Sequence, residues 1–172
     1  MKKTILQKSI LKLLLLTAVF LNINMSFAQP DLPPRNITIT ATQALHFGTF
    51  VLSGPGGGTV VVGHNGSRSS TGDISLSALA PAAQPAIFDI KLCQGRNVTI
   101  TYDPTTTLTG SNGGSFTLNI GPTEKGVSGS QFPVNNDCNF ITTLRIGGTL
   151  IIPGGSPSGI YTGTFFITFE QE

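Results

Sequence analysis

The sequence predicts an all-β domain, a β-sandwich, carried behind a cleavable export signal. Three observations predict it. Every long apolar pattern after residue 35 has a period of two, which sets one face of a strand on a core and the other in water. Only 10% of the residues are charged, while Gly (21) and Pro (11) are frequent and Thr, Ser and Asn supply most of the polarity. That balance suits strands and turns more than helices. No segment after the signal keeps a 3.6-residue period over a useful length. Ser77 to Ile87 is alanine-rich, but Pro81 and Pro85 break it.

The amino end reads as a secretory signal. Lys2, Lys3, Lys8 and Lys12 supply positive charge beside the apolar run Leu13 to Leu21. Ser26-Phe27-Ala28 then offers small residues where a signal peptidase reads, so residues 1–28 are expected to be removed before Gln29. The run is shorter than the roughly 20 apolar residues of a bilayer span, and Asn22 and Asn24 keep it from extending further. Gln29 and not a cysteine stands directly after the cleavage point, which argues against a lipid-anchored lipoprotein, and no later stretch is expected to span a membrane as a helix. Four of the ten basic residues leave with the signal. Six basic and eight acidic residues remain, a net charge of −2. Nucleic acid is therefore a poor partner, since little positive charge is left to meet phosphates.

Residues 29–35 hold Pro30, Pro33 and Pro34 and form a Pro-rich lead-in; residues 36–172 are expected to be one domain, long enough to bury a core. Ile37, Ile39 and Ala41 alternate with threonines. Leu45 and Phe47 flank His46, and Gly48 marks a kink or bulge. Val60 to Val62 is a β-branched run, and His64-Asn65-Gly66-Ser67 carries the Asn-Gly pair of tight hairpins. Ile74 and Leu76 alternate next. Phe88, Ile90 and Leu92 come after them, then Val98, Ile100 and Tyr102, then Phe116, Leu118 and Ile120. Leu144 and Ile146 lead into Gly147-Gly148, after which Leu150 and Ile152 resume. Tyr161, Phe165, Ile167 and Phe169 are expected to share the buried face of one closing strand. About eight to ten short strands separated by turn signals indicate a sandwich with meander or Greek-key connections. An eight-stranded outer-membrane barrel also alternates, but such barrels carry aromatic girdles. This chain has no Trp, its only tyrosines are Tyr102 and Tyr161, and Gln171-Glu172 follows its last strand pattern.

Few residues suggest chemistry. His46 and His64 are the only histidines, and neither lies in a cluster of metal-ligand residues. Serines abound without a triad signature. Gly54-Pro55-Gly56-Gly57-Gly58-Thr59 lacks the lysine of a phosphate loop and reads as a mobile hairpin connection. Asn36-Ile37-Thr38, Asn65-Gly66-Ser67 and Asn97-Val98-Thr99 match the glycosylation triplet, which is common by chance. Asn135-Asn136-Asp137 lacks the spacing of a calcium loop and reads as a turn. Asp73, Asp89, Asp103 and Asp137 are scattered. No catalytic residue, no metal and no cofactor is expected, and the chain is expected not to be an enzyme.

Two stretches carry a resemblance at both ends of the mature chain. One is Ile39-Thr40-Ala41-Thr42-Gln43-Ala44-Leu45-His46-Phe47-Gly48-Thr49-Phe50. The other comprises Leu144-Arg145-Ile146-Gly147-Gly148-Thr149-Leu150 and Gly159-Ile160-Tyr161-Thr162-Gly163-Thr164-Phe165. In their order and spacing they resemble an uncharacterised bacterial family catalogued as domain of unknown function 4402. A weaker likeness is to spore-coat-U-like and fimbrial subunits assembled by a chaperone and usher. Leu45-His46-Phe47-Gly48 is similar to their first strand, and Gly159 stands fourteenth from the end of the sequence, as a Gly does in those subunits. Gln171 replaces their aromatic penultimate residue, and the cysteines lie later than theirs. The resemblance implies an immunoglobulin-like, pilin-like sandwich. It implies an exported structural or surface subunit of pilus, coat or adhesin type, in the periplasm, at the cell surface or outside. A periplasmic chaperone or like subunits would be its partners. The alternative is a secreted binding module for glycans, against which the missing Trp counts.

Cys93 and Cys138 are the only cysteines, and export places them in an oxidising compartment, so a disulfide is expected. Closing the loop between them contributes about 4 kcal/mol in the chain-entropy view. Thiol labelling of the denatured, unreduced protein should therefore find no free cysteine; two labelled thiols per chain would contradict the bond.

Overall fold

The computed structural model describes residues 36–93, 97–135 and 137–171. The expected signal peptide and the lead-in 29–35 lie outside the described residues. All regular structure among the described residues is strand, in antiparallel pairs, as the period-two patterns predict.

In chain order the strands are β1 (Ile37–Gln43), β2 (Phe50–Leu52), β3 (Gly58–Val62), β4 (Arg68–Gly72) and β5 (Ile74–Leu76). Next come β6 (Ala86–Leu92), β7 (Asn97–Tyr102), β8 (Thr105–Gly110), β9 (Ser115–Thr123) and β10 (Gln131–Pro133). The chain closes with β11 (Thr142–Ile152), β12 (Tyr161–Thr162) and β13 (Ile167–Gln171). The largest sheet runs β1-β6-β11-β9-β8-β12, with β3 joined to β11 and β4 to β3. A three-stranded sheet runs β10-β7-β13, and β2 pairs with β5.

β11 is the axis of the large sheet. Its first half, Thr142 to Ile146, pairs with β6, and its second half, Gly148 to Ile152, pairs with β3. A strand has two edges, so the other edge is left for β9, which occupies it from Ile146 to Ile151. The register against β9 shifts between Ile146 and Gly148. Gly147 is needed there because the β3–β4 hairpin crosses its backbone: a Cβ would lie 2.9 Å from Gly63 C and from His64 N. The hairpin itself turns on Asn65-Gly66 as expected, with Gly66 at φ 82° and Gly63 N–H donating to Ser67 O at 2.9 Å.

The alternating residues meet in one core. Ile90, Leu92, Val98, Ile100, Leu144 and Ile146 are fully buried, joined by Val60 and Val62. Phe88 of β6 and Phe169 of β13 touch across it, with ring centroids 5.9 Å apart. The Cys93–Cys138 bond forms, with Cα atoms 4.6 Å apart, within the ordinary range for a disulfide. It ties the end of β6 to the turn that feeds β11, so two paired neighbours are also covalently joined.

Several expectations need correction. Thirteen strands stand among the described residues, not eight to ten. β4 has no apolar residue, β8 has only Leu108 and β10 only Phe132 beside a proline, so none shows a period. Leu45 and Phe47 do not form a strand; a single bridge joins His46 to Gln84, and Gly48 turns the chain at φ 73°. Leu76 is exposed although Ile74 is buried, because β5 is a three-residue strand paired only with β2. The closing strand is not continuous. β12 pairs with β8 in one sheet and β13 with β7 in another, and residues 163–166 cross between them. Tyr161, Phe165, Ile167 and Phe169 still pack on the core, but each is half-buried.

Tyr102 closes the inner face of β7. Ser128 Oγ accepts its backbone N–H at 2.9 Å and donates to its carbonyl at 2.8 Å. Burial raises the phenol above its ordinary value, outweighing an opposing hydrogen bond to the Ser128 backbone. The unfolded chain then ionises first, near pH 10. The contribution is whole below that pH and is lost as pH rises through it toward the folded value. The melting temperature should fall above about pH 10, and Tyr102→Phe should flatten that fall; an unchanged slope would refute the assignment.

Candidate functional site

A cleft opens at the side of the domain where the large sheet ends. Its cavity volume is about 820 Å³, within the usual range for binding pockets. One wall is the segment Leu45 to Leu52, including β2. The other is Ser156 to Gly163, including β12, with Phe165 beyond it. The floor is the inner face of the large sheet: Leu108, Phe116, Leu118, Leu150 and Ile152. Their position follows from strand alternation, since each faces inward on β8, β9 or β11.

Aromatic contacts fix the walls to the floor. Phe116 lies 6.3 Å from Phe50 by ring centroid and 3.5 Å from Tyr161, the latter pair nearly parallel at 10°. Tyr161 can cross there because its partner in the ladder is Gly110. A Cβ at Gly110 would lie 2.7 Å from the Tyr161 ring. The phenol oxygen is not offered to the cleft, because it donates to Pro157 O at 2.7 Å.

The first wall is held from behind by a cation. Arg68 of β4 donates through Nη2 to Thr49 O at 2.7 Å and through Nη1 to Ser77 O at 2.9 Å. Gly48 leaves room for it, since a Cβ there would sit 3.1 Å from Arg68 Cζ. Nε has no hydrogen-bond partner among the described residues. Desolvation lowers the guanidinium's proton affinity, yet an arginine stays charged in a protein. The segment between β2 and β3 is pinned as well. Gly56 N–H donates to Asp73 Oδ2 at 2.8 Å and Ser53 N–H to Asp73 O at 2.8 Å. The Gly54–Gly58 connection is therefore not a hairpin; it passes from β2, paired with β5, to β3 in the large sheet.

The cleft's polar side chains are mostly spent. Thr49 Oγ1 donates to Ala80 O at 3.2 Å and Ser156 Oγ to Pro153 O at 2.6 Å. His46 lines the cleft, with Nδ1 facing Gly48 N at 3.4 Å, whereas His64 lies in the β3–β4 turn. The structure does not bring the histidines together. Among the described residues no three His, Cys, Asp or Glu side chains converge as a metal site. Asp137 is used by its own turn: its N–H donates to Asn135 Oδ1 and its Oδ1 accepts from Asn139 N–H, each at 2.9 Å. Among the described residues no helix is long and apolar enough to cross a membrane.

The cleft was not visible in the sequence. Phe50 and Leu52 gave too short a pattern, and Tyr161 and Phe165 read as ordinary core. Their partial exposure toward a shared cavity is a tertiary fact.

The family described as Domain of unknown function (DUF4402) matches residues 37–170. The chain belongs to this family. The DUF4402 match thus runs from the first residue of β1 to within β13 and takes in both walls of the cleft. No curated protein and no solved structure matches the chain.

Arg68→Met should lower stability by about 2–3 kcal/mol, the scale of hydrogen bonds to a charged group, and Arg68→Lys should restore only part, because an ammonium lacks the planar fork. Denaturant melts of both variants check this; a neutral Arg68→Met would remove the clamp.

Proposed function

We propose that this DUF4402 chain is an exported structural or surface subunit, of pilus, coat or adhesin type, and not an enzyme. One observation carries the reading: an open cleft whose lining is dominated by aliphatic and aromatic residues, bordered by β strands, on a disulfide-bonded β domain. Such a surface holds another molecule by packing. The secretory pattern of residues 1–28 supports export to the periplasm or cell surface. The similarity of Leu45-His46-Phe47-Gly48 and of the closing segment to fimbrial subunits supports an assembling role, with like subunits or a periplasmic chaperone as partners. The function is thus cohesion and presentation.

Fractionation of cells expressing the whole chain tests this. The protein is expected outside the cytoplasm, beginning at Gln29 by amino-terminal sequencing, and labelled on intact cells by an impermeant reagent. Recovery of the full-length chain only from the cytoplasm would refute the reading.

A further inference from the structure

On the outer face of the large sheet, away from the cleft, five segments meet at a second depression. Its cavity volume is about 470 Å³, again within the usual range for binding pockets. Gln43, Ile87 and Arg145 cross it in one row, because Ile87 of β6 lies opposite both Gln43 of β1 and Arg145 of β11. Glu124, just after β9, extends the row, its N–H donating to Arg145 O at 3.0 Å. The β3–β4 turn adds His64, Asn65 and Gly66.

Two departures from regular strand geometry build this site. Ile37, Ile39 and Ala41 pair with Leu92, Ile90 and Phe88, which pack in or on the core. Unbroken alternation would turn Gln43 to that same face. Instead the register shifts between Ala41 and Gln43, and Gln43 pairs with Ile87. Ile87 stands between the buried Ala86 and the core-packed Phe88, so it belongs to the outer face. The bulge thus aims an amide outward. The other departure is at Gly147, whose missing Cβ lets the β3–β4 hairpin cross β11 and carry His64 and Asn65 to Arg145.

The polar groups here are fixed but only partly used, in contrast to those of the cleft. Gln43 Nε2 donates to Pro85 O at 2.7 Å, which leaves Oε1 to accept. Asn65 Oδ1 accepts Ser67 N–H at 3.0 Å, which leaves Nδ2 to donate. Glu124 Oε1 accepts Arg145 N–H at 3.1 Å and its Oε2 accepts from Nη1 at 3.2 Å. The ion pair cancels its own charge, while the guanidinium keeps further donors. Ile87 and Pro85 supply an apolar lining among these groups.

We propose that this depression binds a neutral sugar ring, the terminal ring of a glycan. Neighbouring sugar hydroxyls each donate and accept, so they match the edges of an amide, a carboxylate and a guanidinium held in place. The C–H groups of one ring face suit Ile87 and Pro85. A phosphate or carboxylate would meet Glu124 beside Arg145, and a cation would meet Arg145 itself. Asn65, Gly66 and Arg145 are exposed, so the rest of a glycan can leave over them. The inference goes beyond the reading of this chain as a surface subunit, since it assigns a ligand to a face that the cleft does not share.

The test titrates the purified mature chain with the methyl glycosides of galactose, mannose and N-acetylglucosamine and follows backbone amide signals by NMR. At least one sugar is expected to shift the amides of Asn65, Gly66, Ile87 and Arg145 saturably, with millimolar affinity. Asn65→Asp keeps the oxygen that accepts Ser67 N–H but loses the Nδ2 donors, and Arg145→Gln removes an exposed cation. Each should weaken that sugar at least about tenfold, with little change in melting temperature. No saturable shift with any of the three sugars, shifts confined to the cleft, unchanged affinity in both variants, or tighter binding of N-acetylneuraminic acid, the mark of an anion site, would each overturn the proposal. Because binding is measured on purified protein, a failure here leaves the export and surface result standing, and a cytoplasmic location leaves a positive sugar result standing.

Discussion

The fold depends on β11 keeping both of its edges hydrogen-bonded while it changes neighbours. A buried strand cannot leave its N–H and C=O groups unpaired without a large penalty. β6 serves one edge of β11 up to Ile146, and β3 takes over that same edge from Gly148. The exchange falls at Gly147-Gly148, where the β3–β4 hairpin and the Leu118 and Leu45 side chains press on the backbone. Any side chain at Gly147 would push the hairpin away and uncover Val60 and Val62, which are wholly buried. The disulfide acts next to this device. It fixes the turn before β11 to the end of β6, so the first half of the exchange is covalently set.

The cleft follows from the same architecture. The sheet built on β11 is broad, and the strands opposite it are short and come in separate pieces. Phe169 of the three-stranded sheet meets Phe88 over β6, and Phe50 of the β2–β5 pair meets Phe116 over β9. The closing segment has to serve two sheets, and it breaks at residues 163–166 to do so. Gly163 lies so near the β8 backbone that a Cβ would be 3.2 Å from Leu108 Cα, and Thr106 Oγ1 donates to Thr164 O at 2.9 Å. Among the described residues β12 therefore has a ladder partner only in β8, and Leu118, Leu150 and Ile152 belong to both the core and the cleft. Arg68 belongs to the same device. It fixes Thr49, which lies between the single His46–Gln84 bridge and the short β2–β5 ladder.

These features sort the residues by what they hold. Tyr161 joins β12 to the floor through Phe116 and crosses Gly110 to do it. Asp73 and Arg68, at either end of the β2–β5 pair, use charge-assisted or backbone bonds to position a wall. The Glu124–Arg145 ion pair, at 3.2 Å, lies on the surface away from the cleft, where such pairs contribute little to stability.

By itself the sequence determined the all-β class, most long strands, the Asn65-Gly66 turn, the kink at Gly48 and the Cys93–Cys138 pairing. Each has a local physical cause: alternation of apolar residues, a turn that needs positive φ, or two cysteines with no other partner. Where alternation was weak the reading failed. Thr105–Gly110, Arg68–Gly72 and Gln131–Pro133 are strands because neighbours offer them hydrogen bonds, not because their side chains announce it. Only the tertiary structure decided that Tyr161 and Ile167 lie in different sheets, that Arg68 reaches Thr49, and that two strand edges border one apolar cleft. Those are contacts between segments far apart in the chain. Period and composition describe a strand's faces, whereas its edges are satisfied or left free only by the strands that come to lie beside it.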